Sequence, residues 1–240
     1  MKNIKDRLQQ LASPGTAEIL QKFFKTGPGE YGEGDIFIGV RVPDLRKLAK
    51  EFQDITTSEV LAFLASSIHE ERFLALLILV RNYGRGDEIE KKKIYDLYLE
   101  NTSYINSWDL VDGSAHHIVG AFLMDKNKAP LYRLAKSENL WERRIAMVST
   151  FYFIKHNQFQ ETLEIAKILL TDPEDLIHKA VGWMLREIGK RDVAAEETFL
   201  KKHSMKMPRT MLRYAIEKFP EPKRQRYLKG NIRYPLKSKK

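Results

Sequence analysis

Four short stretches of this chain recur at a spacing near 35 residues or twice that, and this repeat limits the fold more than any other feature. Glu71-Arg72-Phe73-Leu74-Ala75-Leu76-Leu77, Trp141-Glu142-Arg143-Arg144-Ile145-Ala146-Met147-Val148, His178-Lys179-Ala180-Val181-Gly182-Trp183-Met184-Leu185 and Thr210-Met211-Leu212-Arg213-Tyr214-Ala215-Ile216 align on Ala75, Ala146, Ala180 and Ala215. These positions lie 71, 34 and 35 residues apart, and Val111, 36 after Ala75, stands where the missing member of the doubled gap falls. Each stretch opens with charged or polar residues and continues with apolar ones at helical spacing. A period of this length is that of paired-helix repeats, and partner helices are legible between them, as in Gln160-Glu161-Thr162-Leu163-Glu164-Ile165-Ala166-Lys167-Ile168-Leu169-Leu170. The expectation is an all-α solenoid whose inner helices line a concave surface.

Strand signals are nearly absent. Ile36-Phe37-Ile38-Gly39-Val40-Arg41-Val42 runs directly into Pro43, which opens a helix, so it reads as a loop. Gly27-Pro28-Gly29-Glu30-Tyr31-Gly32-Glu33-Gly34 lacks the trailing Lys-Ser/Thr of a phosphate loop and reads as a mobile connection. Thr171-Asp172-Pro173-Glu174-Asp175 joins two helices.

No apolar run is long enough to span a bilayer, and Met1-Lys2-Asn3-Ile4-Lys5-Asp6 lacks the apolar stretch of a signal peptide, so a cytoplasmic protein with no membrane association is expected. The absence of cysteine removes disulfides, thiolate metal sites and cysteine nucleophiles together. The formal charge of +9 is unevenly spread: residues 221–240 carry eight basic residues and one acid, supplying +7 as a basic C-terminal tail. Such a tail binds any polyanion through counterion release, so arginines fixed on the folded body are the more telling feature.

Trp108 and Asp112 lie one helical turn apart and would share a helix face. A tryptophan there is commonly core and an aspartate a cap, but together an indole and a carboxylate also describe a pocket for a cation. Lys179, Trp183, Arg186 and Lys190 follow an i, i+4, i+7, i+11 pattern, a face suited to phosphate contacts flanking an apolar platform. Arg143, Arg144 and Arg213 add basic groups from neighbouring repeats. Trp141 reads as packing between repeats. His116 and His117, adjacent on a helix, cannot both face one ion, and no metal or cofactor is expected.

Four stretches together resemble a known family. They are Phe37-Ile38-Gly39-Val40-Arg41-Val42-Pro43-Asp44-Leu45-Arg46, Asn106-Ser107-Trp108-Asp109-Leu110-Val111-Asp112, Leu140-Trp141-Glu142-Arg143-Arg144 with Ala146, and Lys179-Ala180-Val181-Gly182-Trp183-Met184-Leu185-Arg186-Glu187. In this order they are similar to bacterial DNA alkylation-repair glycosylases of the AlkD type. The resemblance implies a right-handed superhelical solenoid of HEAT-like repeats with a concave basic surface, one domain over residues 1–220, acting as a monomer on double-stranded DNA. It further implies excision of cationic N3- and N7-alkylated purines, with Asp112 as catalytic carboxylate, Trp108 and Trp183 around the lesion's sugar, and Arg144 and Arg186 on the DNA backbone. Gly113, directly after the carboxylate, departs from the pattern and costs a helix roughly 1 kcal/mol relative to Ala. The Gly27–Gly34 stretch is a second departure, and no DNA contact is transferred to it. Two other readings compete: a non-catalytic helical-repeat protein that binds DNA structures, and a protein-interaction scaffold. Asp109 reads as helix capping or support.

Overall fold

The structure is a computed structural model and describes residues 2–230. It is all-α, with no strand among the described residues beyond one isolated parallel bridge, Ile36 to Ile68. The helices sort into two compact units, one ending at Phe122 and the other beginning at Leu123. A helical array buries each repeat only against its neighbours, so its core can divide without a break in the period.

The first unit contains α1 (Lys2–Leu11), α2 (Pro14–Phe23), α3 (Val42–Glu51), α4 (Thr57–Leu64), α5 (His69–Arg85), α6 (Glu88–Glu100) and α7 (Trp108–Asp112), followed by a π-helix, His116–Gly120. The short α8 (Ala121–Leu123) crosses the unit boundary. The second unit contains α9 (Ala129–Leu134), α10 (Leu140–Ser149), α11 (Phe151–Lys155), α12 (Gln160–Ile168), α13 (Asp175–Gly189), α14 (Val193–His203), α15 (Arg209–Ala215) and α16 (Glu221–Leu228). In the first unit α5 packs against α3, α4 and α6; in the second, α13 packs against α10, α14 and α15.

The repeat positions explain this packing. Ala75 on α5, Val111 on α7, Ala146 on α10, Ala180 on α13 and Ala215 on α15 are all at most 1% exposed. Small residues at these points allow neighbouring helices to approach closely.

The loop before α3 is fixed by its backbone. Gly39 has φ +83°, and a Cβ there would lie 2.1 Å from the Ser13 carbonyl oxygen, so no other residue fits without movement. Pro43 sits in the first turn of α3, as the sequence requires. The Gly-rich stretch is closed rather than open: the Gly32 amide donates to the Lys25 carbonyl at 3.1 Å, and Glu30 and Glu33 accept from the amides of Gly27 and Gly29 at 3.0 and 2.8 Å.

The segment expected as a basic tail begins as a packed helix. Tyr227 of α16 is buried, Lys223 pairs with Glu197 of α14, and the Lys223 ammonium lies 4.6 Å from the centre of the Phe219 ring. These contacts cover the end of the last repeat with apolar and paired surface. Arg233, Lys237, Lys239 and Lys240 lie outside the described residues.

Candidate active site

The site in the first unit is built on α7, a single turn. Ser107 precedes it in extended conformation, but its buried hydroxyl makes no hydrogen bond among the described residues. Asp109 takes over the local support: its Oδ1 accepts from the Leu110 amide at 2.9 Å, in keeping with the sequence reading. Trp108 is half-buried, stacked on Phe24 at 5.2 Å with an interplanar angle of 10°, and met edge-on by Phe23 at 5.9 Å. Asp112 closes the helix and is also half-buried. Behind it, the Tyr98 hydroxyl bonds Ser114 Oγ at 2.8 Å. Burial raises the pKa of this phenol, the Ser114 hydrogen bond opposes the rise, and the negative charge of Asp112 adds to it.

Gly113 keeps a helical backbone, φ −78° and ψ −12°, so its role is spatial. A Cβ would lie 2.9 Å from the Phe73 ring of α5, which explains the departure noted in the sequence.

Beneath α7 lies a charged network that sequence reasoning missed. The Ile36–Ile68 bridge brings Asp35 beside the start of α5. His69 Nδ1 is 2.9 Å from Asp35 Oδ2, and its Nε2 is 2.8 Å from Asp109 Oδ2. Arg72 donates to Asp35 Oδ1 at 2.5 Å and to the Ser66 carbonyl at 2.9 Å. His69 is 2% exposed; burial disfavours its charge, but hydrogen bonds to Asp109 and Asp35 outweigh this and push its pKa up to about 9. Next to it, Glu70 accepts from the amides of Ile38, Gly39 and Val40 at 3.1, 2.7 and 3.3 Å. The one available signal was spacing: Asp35 to His69 is 34 residues and His69 to Asp109 is 40, both close to one repeat.

The aromatic platform in the second unit is Trp183 on α13, half-buried, 5.6 Å from Phe151, with its indole N–H donating to Glu187 Oε1 at 3.2 Å. The cations expected around it are present but neutralised. Lys179 pairs with Asp175 at 2.8 Å, Lys190 with Glu187 at 2.7 Å, and Arg186 with Glu217. Arg143 and Arg144 of α10, read from sequence as outward basic groups, turn inward. Arg143 holds Asp172 at 2.6 Å and the Ser137 and Glu138 carbonyls, while Arg144, 4% exposed, donates to the Leu176 carbonyl at 2.5 Å. Arg143 therefore ties α10 to the connection preceding α13, and Arg144 ties it to the first turn of α13 itself. Arg213 on α15 is exposed. A cation the sequence reading passed over is Lys155, 4.4 Å from the centre of the Phe151 ring, whose pKa is lowered by burial and by the charge of Arg191.

These features define a helical-repeat protein in which a Trp–Asp turn rests on a buried charge network and a second tryptophan stands among paired cations. The chain belongs to the DNA alkylation repair enzyme family, whose sequence model matches residues 4–219. Its role is thus DNA alkylation repair, with DNA as its partner. Among solved structures, a predicted DNA alkylation repair enzyme from Enterococcus faecalis is 19% identical, with TM-score 0.68, covering 88% of this chain and 97% of that one. AlkD2 from Streptococcus mutans is 18% identical, with TM-score 0.53 and coverage of 85% and 97%. Smu.31 from Streptococcus mutans UA159 is 18% identical, with TM-score 0.52 and coverage of 85% and 98%. At these identities the likeness establishes the all-α helical-repeat fold. No curated protein matches the chain.

Proposed function

We propose that the protein is a monofunctional DNA glycosylase that hydrolyses the N-glycosidic bond of cationic N3- or N7-alkylated purines in duplex DNA, acting as a monomer. The observation that carries this reading is the Trp108–Asp112 turn: a half-buried indole and a half-buried carboxylate one turn apart, tied to His69 through Asp109 and to Phe24 through the indole. Alkylation already makes the purine a good leaving group, so little acid catalysis is needed. As the C1′–N bond breaks, its electron pair neutralises the base and positive charge grows on the deoxyribose. Asp112 stabilises that charge, orients the attacking water and accepts its proton. The electron-rich indole face of Trp108 adds roughly 0.5 to 2 kcal/mol. Lys179, Arg186, Lys190 and Arg213 are the proposed phosphate contacts, with Arg143 and Arg144 bracing α10 against the start of α13 that carries them.

The test is release of 7-methylguanine from methylated duplex DNA. Wild type is expected to release the base, and Asp112→Asn to be slower by about a hundredfold or more. Equal rates would remove Asp112 from the chemistry. Tight DNA binding by wild type without base release would favour the non-catalytic reading.

A further inference from the structure

His69 is 2% exposed, yet both of its ring nitrogens face carboxylate oxygens, Asp35 at 2.9 Å and Asp109 at 2.8 Å. An ionised carboxylate only accepts hydrogen bonds, and a neutral imidazole has one N–H to give. Both bonds therefore exist together only when the ring carries both protons. The groups around it balance this charge: Asp35 from the loop, Asp109 from α7, and Arg72 from α5 bound to the far oxygen of Asp35. Neighbouring Glu70 is directed to the Ile38–Val40 amides, and Asp112 lies at the opposite end of α7 from Trp108.

The same ring begins an aromatic column. His69 stacks on Phe37 at 4.4 Å and 23°, Phe37 on Phe24 at 4.9 Å and 26°, and Phe24 on Trp108 at 5.2 Å and 10°. One turn of helix does not hold itself in water, so α7 depends on such outside ties.

We propose that His69 is a positioning residue for the Trp108–Asp112 turn, fixing α7 through Asp109 and the indole through the Phe37–Phe24 column. The inference rests on the reading of that turn as the reacting site. Loss of one ring proton breaks one of the two bonds and releases α7 from either the loop or α5. Asp112 and Trp108 then lose their shared alignment, which lowers the rate of the chemical step more than DNA affinity.

The experiment uses the full chain labelled with 5-fluorotryptophan, with the Trp108 signal assigned by comparison with Trp108→Phe, and follows it together with the His69 ring nitrogens across pH. Both nitrogens are expected to be protonated at neutral pH, and the Trp108 fluorine signal to shift with the His69 midpoint, near pH 9. A Trp108 signal that ignores the His69 titration overturns the proposal, with or without any glycosylase activity. His69→Gln keeps one donor; its Trp108 step should vanish, and single-turnover release of 7-methylguanine should fall roughly ten- to a hundredfold with DNA affinity within about twofold. An unchanged rate in the folded variant, beside an active wild type, also overturns it. A wild type that releases no base counts against the glycosylase reading alone, because the fluorine titration is read on the free protein.

Discussion

The two tryptophan regions handle charge in opposite ways. Around Trp108 the charges are inside: Asp35, His69, Glu70 and Arg72 are each at most 8% exposed, and each is spent on holding a loop or helix in place. Around Trp183 the lysines are at the surface, Lys179 40% exposed and Lys190 46%, each paired with a carboxylate three or four residues before it, while Arg186 and Glu187 are half-buried. A buried network cannot be exchanged for a ligand, since removing one member strands the others in a medium that cannot solvate them. An exposed pair is worth about 0–1 kcal/mol, so a phosphate can replace the carboxylate at little cost. The first region holds its charges in fixed bonds, and the second carries lysines whose carboxylate partners are exchangeable. Carboxylate pairing at Trp183 is thus compatible with the proposed phosphate contacts, which such pairing would make weak per residue and salt-dependent.

The sharpest way to break this contrast is Glu70→Ala. Three backbone amides lose their acceptor at once, and a urea melt should show a loss of about 3–5 kcal/mol. A loss below about 1 kcal/mol would mean that the loop does not depend on the buried charge. Next is pH. His69 has a folded pKa of about 9 against 6.5 for an ordinary imidazole, so its contribution is fully present below pH 6.5 and fades as pH rises through 9. It amounts to roughly 3 kcal/mol, and the urea midpoint of wild type should fall between pH 7 and 10 while that of His69→Gln stays flatter.

Arg144→Ala should cost about 2–3 kcal/mol, because the guanidinium fills a buried site and satisfies the Leu176 carbonyl. An unaltered melt combined with weakened DNA binding would instead make Arg144 a direct phosphate contact. The smallest stability effect belongs to Lys190→Ala, within about 0.5 kcal/mol of wild type. Its effect should fall on DNA binding, reducing the slope of log affinity against log salt by roughly 1.

Much of this was legible in the chain. The 35-residue period predicts the packing of α5, α7, α10, α13 and α15, since a residue that must be buried once per repeat announces itself at that interval. Pro43 is equally local, whereas the Gly27–Gly34 stretch reads from sequence as a mobile connection and only the fold shows its closure by Glu30 and Glu33. The pairing of Trp108 with Asp112 follows from helical geometry alone. Arg143 and Arg144 misled because their spacing shows which helix they occupy, but not that Asp172 and the Leu176 carbonyl, 29 and 32 residues away, draw them inward. His69, Asp35 and Arg72 look like ordinary surface charges until the fold brings them together.

By itself, then, the sequence determined the helices, their order, the buried positions of each repeat and the two tryptophans worth attention, because periodicity and turn chemistry act over a few residues. Only the tertiary structure decided which charges are buried struts and which are surface partners. That distinction depends on distance and solvent access between groups a full repeat apart, and Coulomb attraction and desolvation respond to separation in space rather than along the chain.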